Sequence, residues 1–267
     1  LNWNSGGNNS VSALFYSSFE RNYEKELTIW KNSASLRYGL NAQEGRQVRK
    51  TDDEIRFNSS FGFRADSTSN WYYSGKFSFN TQFAHGYKYP DRDTPISKFM
   101  APGYSFLGVG SEYSDPVEDL TAYISPLTIK STFVLDQRLA NEGMFGVTPA
   151  KTDQLGNIIE EGENVRTEFG VLVTSEFRKE VWENINLDNQ LSLYSDYLNN
   201  FGNIDVDWQL NVNMKVNKYV KANVGSHVRY DDDVKFKEDT NGDGKLETSG
   251  ARVQLKQMLG VGLVYEF

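Results

Sequence analysis

Asn203-Ile204-Asp205-Val206-Asp207-Trp208-Gln209-Leu210-Asn211-Val212-Asn213-Met214-Lys215-Val216-Asn217 alternates polar and apolar residues without a break. Successive side chains of a strand point to opposite faces, so one face here is wholly apolar and the other wholly polar. The run is long for a globular strand, which usually has ~5–6 residues. It suits a strand crossing a bilayer at a tilt, which needs ~9–11 residues plus an extension beyond the lipid.

The same pattern continues on both sides. Val220, Ala222, Val224, Val228 and Tyr230 alternate with Lys221, Asn223, Gly225, His227 and Arg229. Ile185, Leu187, Leu191 and Leu193 alternate with Asn186, Asp188, Gln190 and Ser192. The spacing predicts eleven strands, over 10–21, 26–41, 54–66, 70–84, 104–114, 119–136, 165–178, 183–197, 203–217, 219–231 and 250–267. No segment with helical periodicity competes with them, and no linker divides the chain. Short connections are expected at 22–25, 66–70, 115–118, 178–183 and 217–218. Long ones are expected at 42–53, 85–103, 137–164 and 232–249, with 198–202 a short exception on that rim.

This is the outer-membrane arrangement, with short periplasmic turns and long extracellular loops. The expectation is an all-β fold: a single transmembrane, antiparallel, up-and-down β-barrel domain over 1–267, with 10–267 as the barrel and 1–9 at its mouth or seam. Single-chain bacterial barrels have an even number of strands, so 12 are expected. The extra strand lies at or before residues 1–4, or else 119–136 is two elements broken at Pro126, because proline cannot donate to a ladder.

Composition agrees. The 267 residues include 15 Tyr, 17 Phe and 5 Trp but no Cys, so a disulfide framework and a thiolate zinc site are excluded. A mean hydropathy of -0.59 would suggest a water-soluble chain, but barrels average out as hydrophilic because their faces alternate. The net charge is -8 and the basic residues are scattered, so no nucleic-acid partner is expected. No run approaches the ~18 apolar residues of a membrane helix. The chain starts within what reads as mature sequence, with any export signal already removed.

A water-soluble β-sandwich also alternates its faces. Long strands argue against it, as do aromatic residues near strand ends: Trp30, Tyr38, Trp71, Phe83, Phe169, Phe177, Tyr197, Tyr230 and Tyr265. Such rings favour the membrane interfaces. Leu259, Val261, Leu263, Tyr265 and the terminal Phe267 share one face, a pattern that resembles the C-terminal signature of outer-membrane proteins. The expected location is the bacterial outer membrane, with its lipid and lipopolysaccharide as surroundings and other outer-membrane proteins as candidate partners.

Several motifs carry a family resemblance: Asn2-Trp3-Asn4-Ser5-Gly6-Gly7-Asn8-Asn9-Ser10, Arg49-Lys50-Thr51-Asp52-Asp53, Thr81-Gln82-Phe83, Phe99-Met100-Ala101-Pro102, Ser125-Pro126-Leu127, Met214-Lys215-Val216-Asn217-Lys218-Tyr219 and Tyr230-Asp231-Asp232-Asp233. Together they resemble a family of Bacteroidota cell-envelope proteins known only as a domain of unknown function. The resemblance implies an outer membrane in that phylum and a further strand before the N-W motif. It brings no substrate, cofactor or catalytic residue.

Three places are candidates for chemistry. Asp239-Thr240-Asn241-Gly242-Asp243-Gly244-Lys245 begins like a calcium loop, with oxygen ligands at positions 1, 3 and 5, glycine at 6 and a carbonyl at 7. Gly250 stands where the bidentate Glu belongs, so Glu247 would substitute. The alternative is an Asn-Gly/Asp-Gly turn at a hairpin tip. A Ser-His-acid hydrolase needs a His within reach of a Ser. His227 is expected to face the lumen and Ser226 the lipid, and His85 has no identifiable Ser, so no catalytic set is assigned. Inward-facing charges of both signs are expected at Glu54, Arg56, Arg64, Lys76, Arg166, Glu168, Glu176, Arg178, Asp188, Asp196, Asp205, Asp207, Lys215, Lys221, Arg229, Arg252, Lys256 and Glu266. Mixed signs suggest ion pairs crossing the lumen more than a selective ring. The function expected is a structural or accessory barrel acting through its loops or partners. A narrow, porin-like channel or transporter for small solutes is the alternative, and an outer-membrane hydrolase is the least favoured.

Overall fold

The computed structural model describes residues 9–199, 201–238 and 247–263. In chain order the strands are β1 (Ser10–Lys25), β2 (Thr28–Gln43), β3 (Arg49–Phe63), β4 (Trp71–Thr81), β5 (Gly86–Tyr87), β6 (Pro95–Ser97), β7 (Gly103–Asp115), β8 (Leu120–Phe133), β9 (Lys151–Thr152), β10 (Ile158–Glu160), β11 (Val165–Trp182), β12 (Ile185–Asp196), β13 (Asp205–Lys215), β14 (Val220–Tyr230), β15 (Lys235–Glu238), β16 (Glu247–Ala251) and β17 (Gln254–Leu263). Eleven of them form one antiparallel sheet in the order β1-β2-β3-β4-β7-β8-β11-β12-β13-β14-β17. Each is a strand expected from alternation. The other six form three small hairpins, β5/β6, β9/β10 and β15/β16, within the long connections.

The sheet is rolled. Tyr104 lies on β7 and Arg229 on β14, five places apart in the strand order, a span of ~24 Å across a flat sheet at the usual strand spacing. Yet the Arg229 guanidinium carbon sits 5.2 Å from the Tyr104 ring centre. Lys130 on β8 reaches Asp205 on β13 at 2.7 Å in the same way.

The rolled sheet is inverted relative to a water-soluble protein. On β7 and β8 the outward residues are Leu107 (53% exposed), Val109 (61%), Ile124 (47%) and Leu127 (56%). The concave side buries Glu112, Lys130, Thr128 and Ser125, and Glu168 of β11 beside them. Two indoles on the convex face are satisfied there: the Trp208 indole donates to Asn189 at 2.8 Å, and that of Trp30 donates to Ser59 at 3.0 Å. Aromatic pairs gather at both rims, Tyr38 with Phe83 and Phe169 with Tyr197 at one, Trp71 with Tyr113 at the other.

Three expectations need correction. Strand β3 begins at Arg49, so the first long connection, expected over 42–53, shrinks to 44–48. The polar run 49–53 hid this part of the strand, because beyond the apolar band no face has to be greasy. It is held instead by Lys50, whose ammonium reaches Asp53 at 2.6 Å and the Ala84 carbonyl at 2.8 Å. Pro126 does not divide β8, which is one strand with a bulge around Ser125 and Pro126. The bulge absorbs the missing donor, and Gly110 permits it, since a Cβ there would meet the Ile124 carbonyl oxygen at 2.0 Å. Last, the 134–164 connection contains a short helix, α1 (Gln137–Asn141), capped by Asp136, which accepts from the Leu139 amide at 3.1 Å.

One rim carries the long connections 82–102, 134–164 and 231–253, and the other carries 26–27, 64–70, 116–119, 183–184 and 216–219. The long connections build a cap with its own apolar core, formed by Ala101, Val134, Leu139, Ala140 and Val147. Arg166 ties the cap to the sheet through the Gly146 carbonyl at 3.1 Å and Asp233 at 2.5 Å.

Candidate functional site

The concave side of the sheet holds two cavities. One, of about 470 Å³, lies towards the long-connection rim, among Arg37, Asp52, Asp205, Asp207, Arg229 and their neighbours. The other, of about 440 Å³, lies towards the short-turn rim, among Glu20, Lys31, Glu112, Arg178 and Asp188. Ten of the charges expected to face inward line one or both. Asn58, Ser78, Phe106, Leu172, Thr174 and Glu176 line both, so they mark the waist between them.

An apolar plug forms part of the waist. Tyr123, Leu172 and Tyr194 are buried against one another with Phe106 packed on them, and the Phe106 and Tyr194 rings meet edge to face at 5.9 Å. Each tyrosine has a lysine over its ring, Lys76 at 4.4 Å from Tyr123 and Lys130 at 5.0 Å from Tyr194. Such contacts strengthen when water is excluded.

The two lysines anchor separate charge networks. Below the plug, Glu112 takes Lys76 at 2.8 Å, Lys31 at 3.6 Å and the Ser60 hydroxyl at 3.1 Å. Above it, Lys130 is ringed by Asp205 at 2.7 Å, Glu168 at 3.5 Å and Asp231 at 4.0 Å. Arg166 extends this network from Glu168, at 3.6 Å, to Asp233 in the cap. Burying an ion is expensive, and removing one partner of a buried pair leaves the other uncompensated. These pairs therefore fix the packing of the rolled sheet and tie its mouth to the cap.

The mouth has further pairs. Arg37 meets Asp52 at 2.5 Å, and Arg56 meets Glu54 at 2.7 Å. His227 Nε2 lies 2.9 Å from Asp207, on the concave side of the sheet. His85 Nδ1 is 3.3 Å from the Tyr87 hydroxyl, within the cap. Neither imidazole has a serine hydrogen-bond partner among the described residues.

Of the candidate calcium ligands, Asp239, Asn241, Asp243 and Lys245 lie outside the described residues, as do Tyr265, Glu266 and Phe267. Glu247 opens β16, where its backbone pairs with Glu238.

Sequence reading missed Glu112, Lys130 and the plug. Lys130 follows the bulge at Pro126, which shifts the phase of alternation, so parity counted from 119 assigns it to the wrong face. The plug did leave a signal. Leu172 shares the parity of Arg166, Glu168 and Glu176, and Tyr194 that of Asp188 and Asp196. An apolar residue on an otherwise polar face marks a constriction.

Residues 1–87 match a family model described as "Protein of unknown function (DUF3078)". The match covers the first four sheet strands of β1–β4 and two of the quoted motifs beyond the N-W stretch. No curated protein matches the chain, and no solved structure matches it.

Proposed function

We propose that the chain is an outer-membrane β-barrel of a Bacteroidota cell envelope, of 12 strands, acting as a structural or accessory component through its cap. The convex apolar face and aromatic rims support the membrane location, since lipid is the solvent that rewards such a surface. Parity supports the strand number. Eleven consecutively antiparallel strands leave β1 and β17 running the same way, and one more strand running opposite to both completes an antiparallel seam.

The folded cap is the observation that carries the accessory role. Long connections with their own core present a fixed surface, and the β9/β10 hairpin holds Leu155 (87% exposed) and Ile159 (71%) out from it. The test is co-purification from outer membranes in mild detergent, comparing the intact chain with one lacking residues 151–160. The expected result is a partner set that disappears with the hairpin. If the same proteins accompany both chains, or none accompanies either, the accessory reading fails. A narrow channel or transporter for small solutes is the second reading, favoured by the two cavities that meet at the waist. A calcium ion bound by Asp239, Asn241, Asp243, Lys245 and Glu247 belongs to the same proposal as a stabiliser of the 231–253 connection, though not a requirement for the fold.

A further inference from the structure

Apolar and polar side chains meet at the waist. The plug is Phe106, Tyr123, Leu172 and Tyr194. Ser78 pairs with Phe106 and with Asn58 across the strands, Thr174 pairs with Tyr123, and Glu176 follows on the same face of β11; all four polar residues touch both cavities. Glu176 differs from the buried carboxylates Glu112 and Glu168. It is solvent-exposed and has no ion-pair or hydrogen-bond partner among the described residues. Glu112 and Glu168, by contrast, are buried and held by two lysines or arginines each.

The charge balance on either side has one sign. Seven Asp or Glu against five Lys or Arg line the larger cavity, and five against three line the smaller. Walls of one net sign focus the field in a confined space and concentrate counter-ions. An unpaired carboxylate shared by both cavities is the element from which cation selectivity is built. An apolar constriction beside it restricts passage, because water leaves a narrow apolar gap.

The geometry points to a narrow path for small inorganic cations through the barrel, with Glu176 as its selectivity group and the Phe106–Leu172 side of the plug setting its width. The inference rests on the channel reading above. The path runs from the acidic vestibule under the cap, past the polar side chains of Asn58, Ser78, Thr174 and Glu176, into the second vestibule. Lys76 and Lys130 do not block it electrostatically, since each is neutralised by carboxylates and turned onto a tyrosine ring.

The experiment is conductance across planar bilayers with a KCl gradient. It compares the full chain, Phe106→Ala/Leu172→Ala, and that double variant carrying Glu176→Gln. Phe106→Ser serves as a milder widening variant if the double variant does not fold. Heat-modifiable gel mobility and protease protection report insertion. Widening should raise conductance about 10-fold or more by wetting the waist, with a reversal potential showing preference for K⁺. Glu176→Gln should move that potential towards zero at similar conductance, a change that a purely structural glutamate would not produce. Inserted protein whose conductance does not rise on widening overturns the path. A preference for Cl⁻, or a reversal potential indifferent to Glu176→Gln, overturns the selectivity role. Failure of the wild-type chain to insert overturns the barrel reading, and the path with it.

Discussion

At the scale of single residues, facing decides cost. Leu210 belongs to the apolar set of β13, while Gln209 lines the cavity under the cap. Arg at position 210 should cost roughly 2–4 kcal/mol if it meets lipid near the midplane, whereas Arg at 209 meets a wet, acidic wall and should cost far less. Urea titration of the two variants refolded into lipid vesicles measures the difference, and equal costs would sink the membrane reading. Asp136 gives a second residue-level prediction, in the cap. The hydrogen bond from Lys98, together with the Leu139 amide, holds its carboxyl below the usual carboxylate value. A depressed carboxylate contributes stability above its unfolded pKa of ~3.9 and loses it as pH falls through the lower, folded value. The cap of α1 should therefore be intact at neutral pH and loosen only below about pH 4. Asp136→Ala should remove about 1 kcal/mol at pH 7 and abolish that acid sensitivity. Hydrogen exchange of the 137–141 amides reads both effects, and an unchanged acid response in the variant would place the titration elsewhere.

At the scale of elements, the connections differ in kind. The 134–164 connection folds on an apolar core with a capped helix. The 231–253 connection instead leaves β14 through Asp231 and Asp233, which are spent on Lys130 and Arg166. If calcium binds its tip, Asp239, Asn241 and Asp243 supply side-chain oxygens and Lys245 a carbonyl. Lacking the position-12 carboxylate, the site should be weak, with Kd on the order of 10⁻⁴–10⁻³ M as in extracellular modules. Calorimetry of the wild type against Asp243→Ala tests this: a wild type without heat at millimolar Ca²⁺ leaves only a hairpin tip. The rolled sheet should be unaffected either way, because Lys130 and Arg166 hold it from below.

At the scale of the whole molecule, the proposed barrel has two solvents. On that reading lipid meets the convex face, while the concave face carries networks of ion pairs around a small apolar plug. On the same reading, an apolar outer face of this extent disfavours a folded state in water ahead of insertion. Deleting Phe267 should lower the amount of protein in outer-membrane fractions much more than it lowers the melting temperature of what does assemble. Wild-type amounts after the deletion would remove the C-terminus as an assembly determinant.

Alternation and the turn spacing determined the eleven strands, their antiparallel succession and which rim carries most of the long connections. Those properties are local: a period of two assigns faces wherever residues such as Trp208 and Gln209 must meet different surroundings. It also placed Glu176, Asp205 and Asp207 on the polar face. Only the tertiary structure decided which inward charges meet. Lys130 finds Asp205 and Asp231 because the sheet rolls through several strands, and the amount of roll is written in no single segment. The plug, too, had to wait for the roll, since Phe106 and Tyr194 lie on different strands and become a constriction only when curvature brings their rings together. The start of β3 and the phase shift at Pro126 escaped the sequence for the opposite reason. Beyond the apolar band, and at a bulge, local backbone geometry overrides the face pattern from which strands are read.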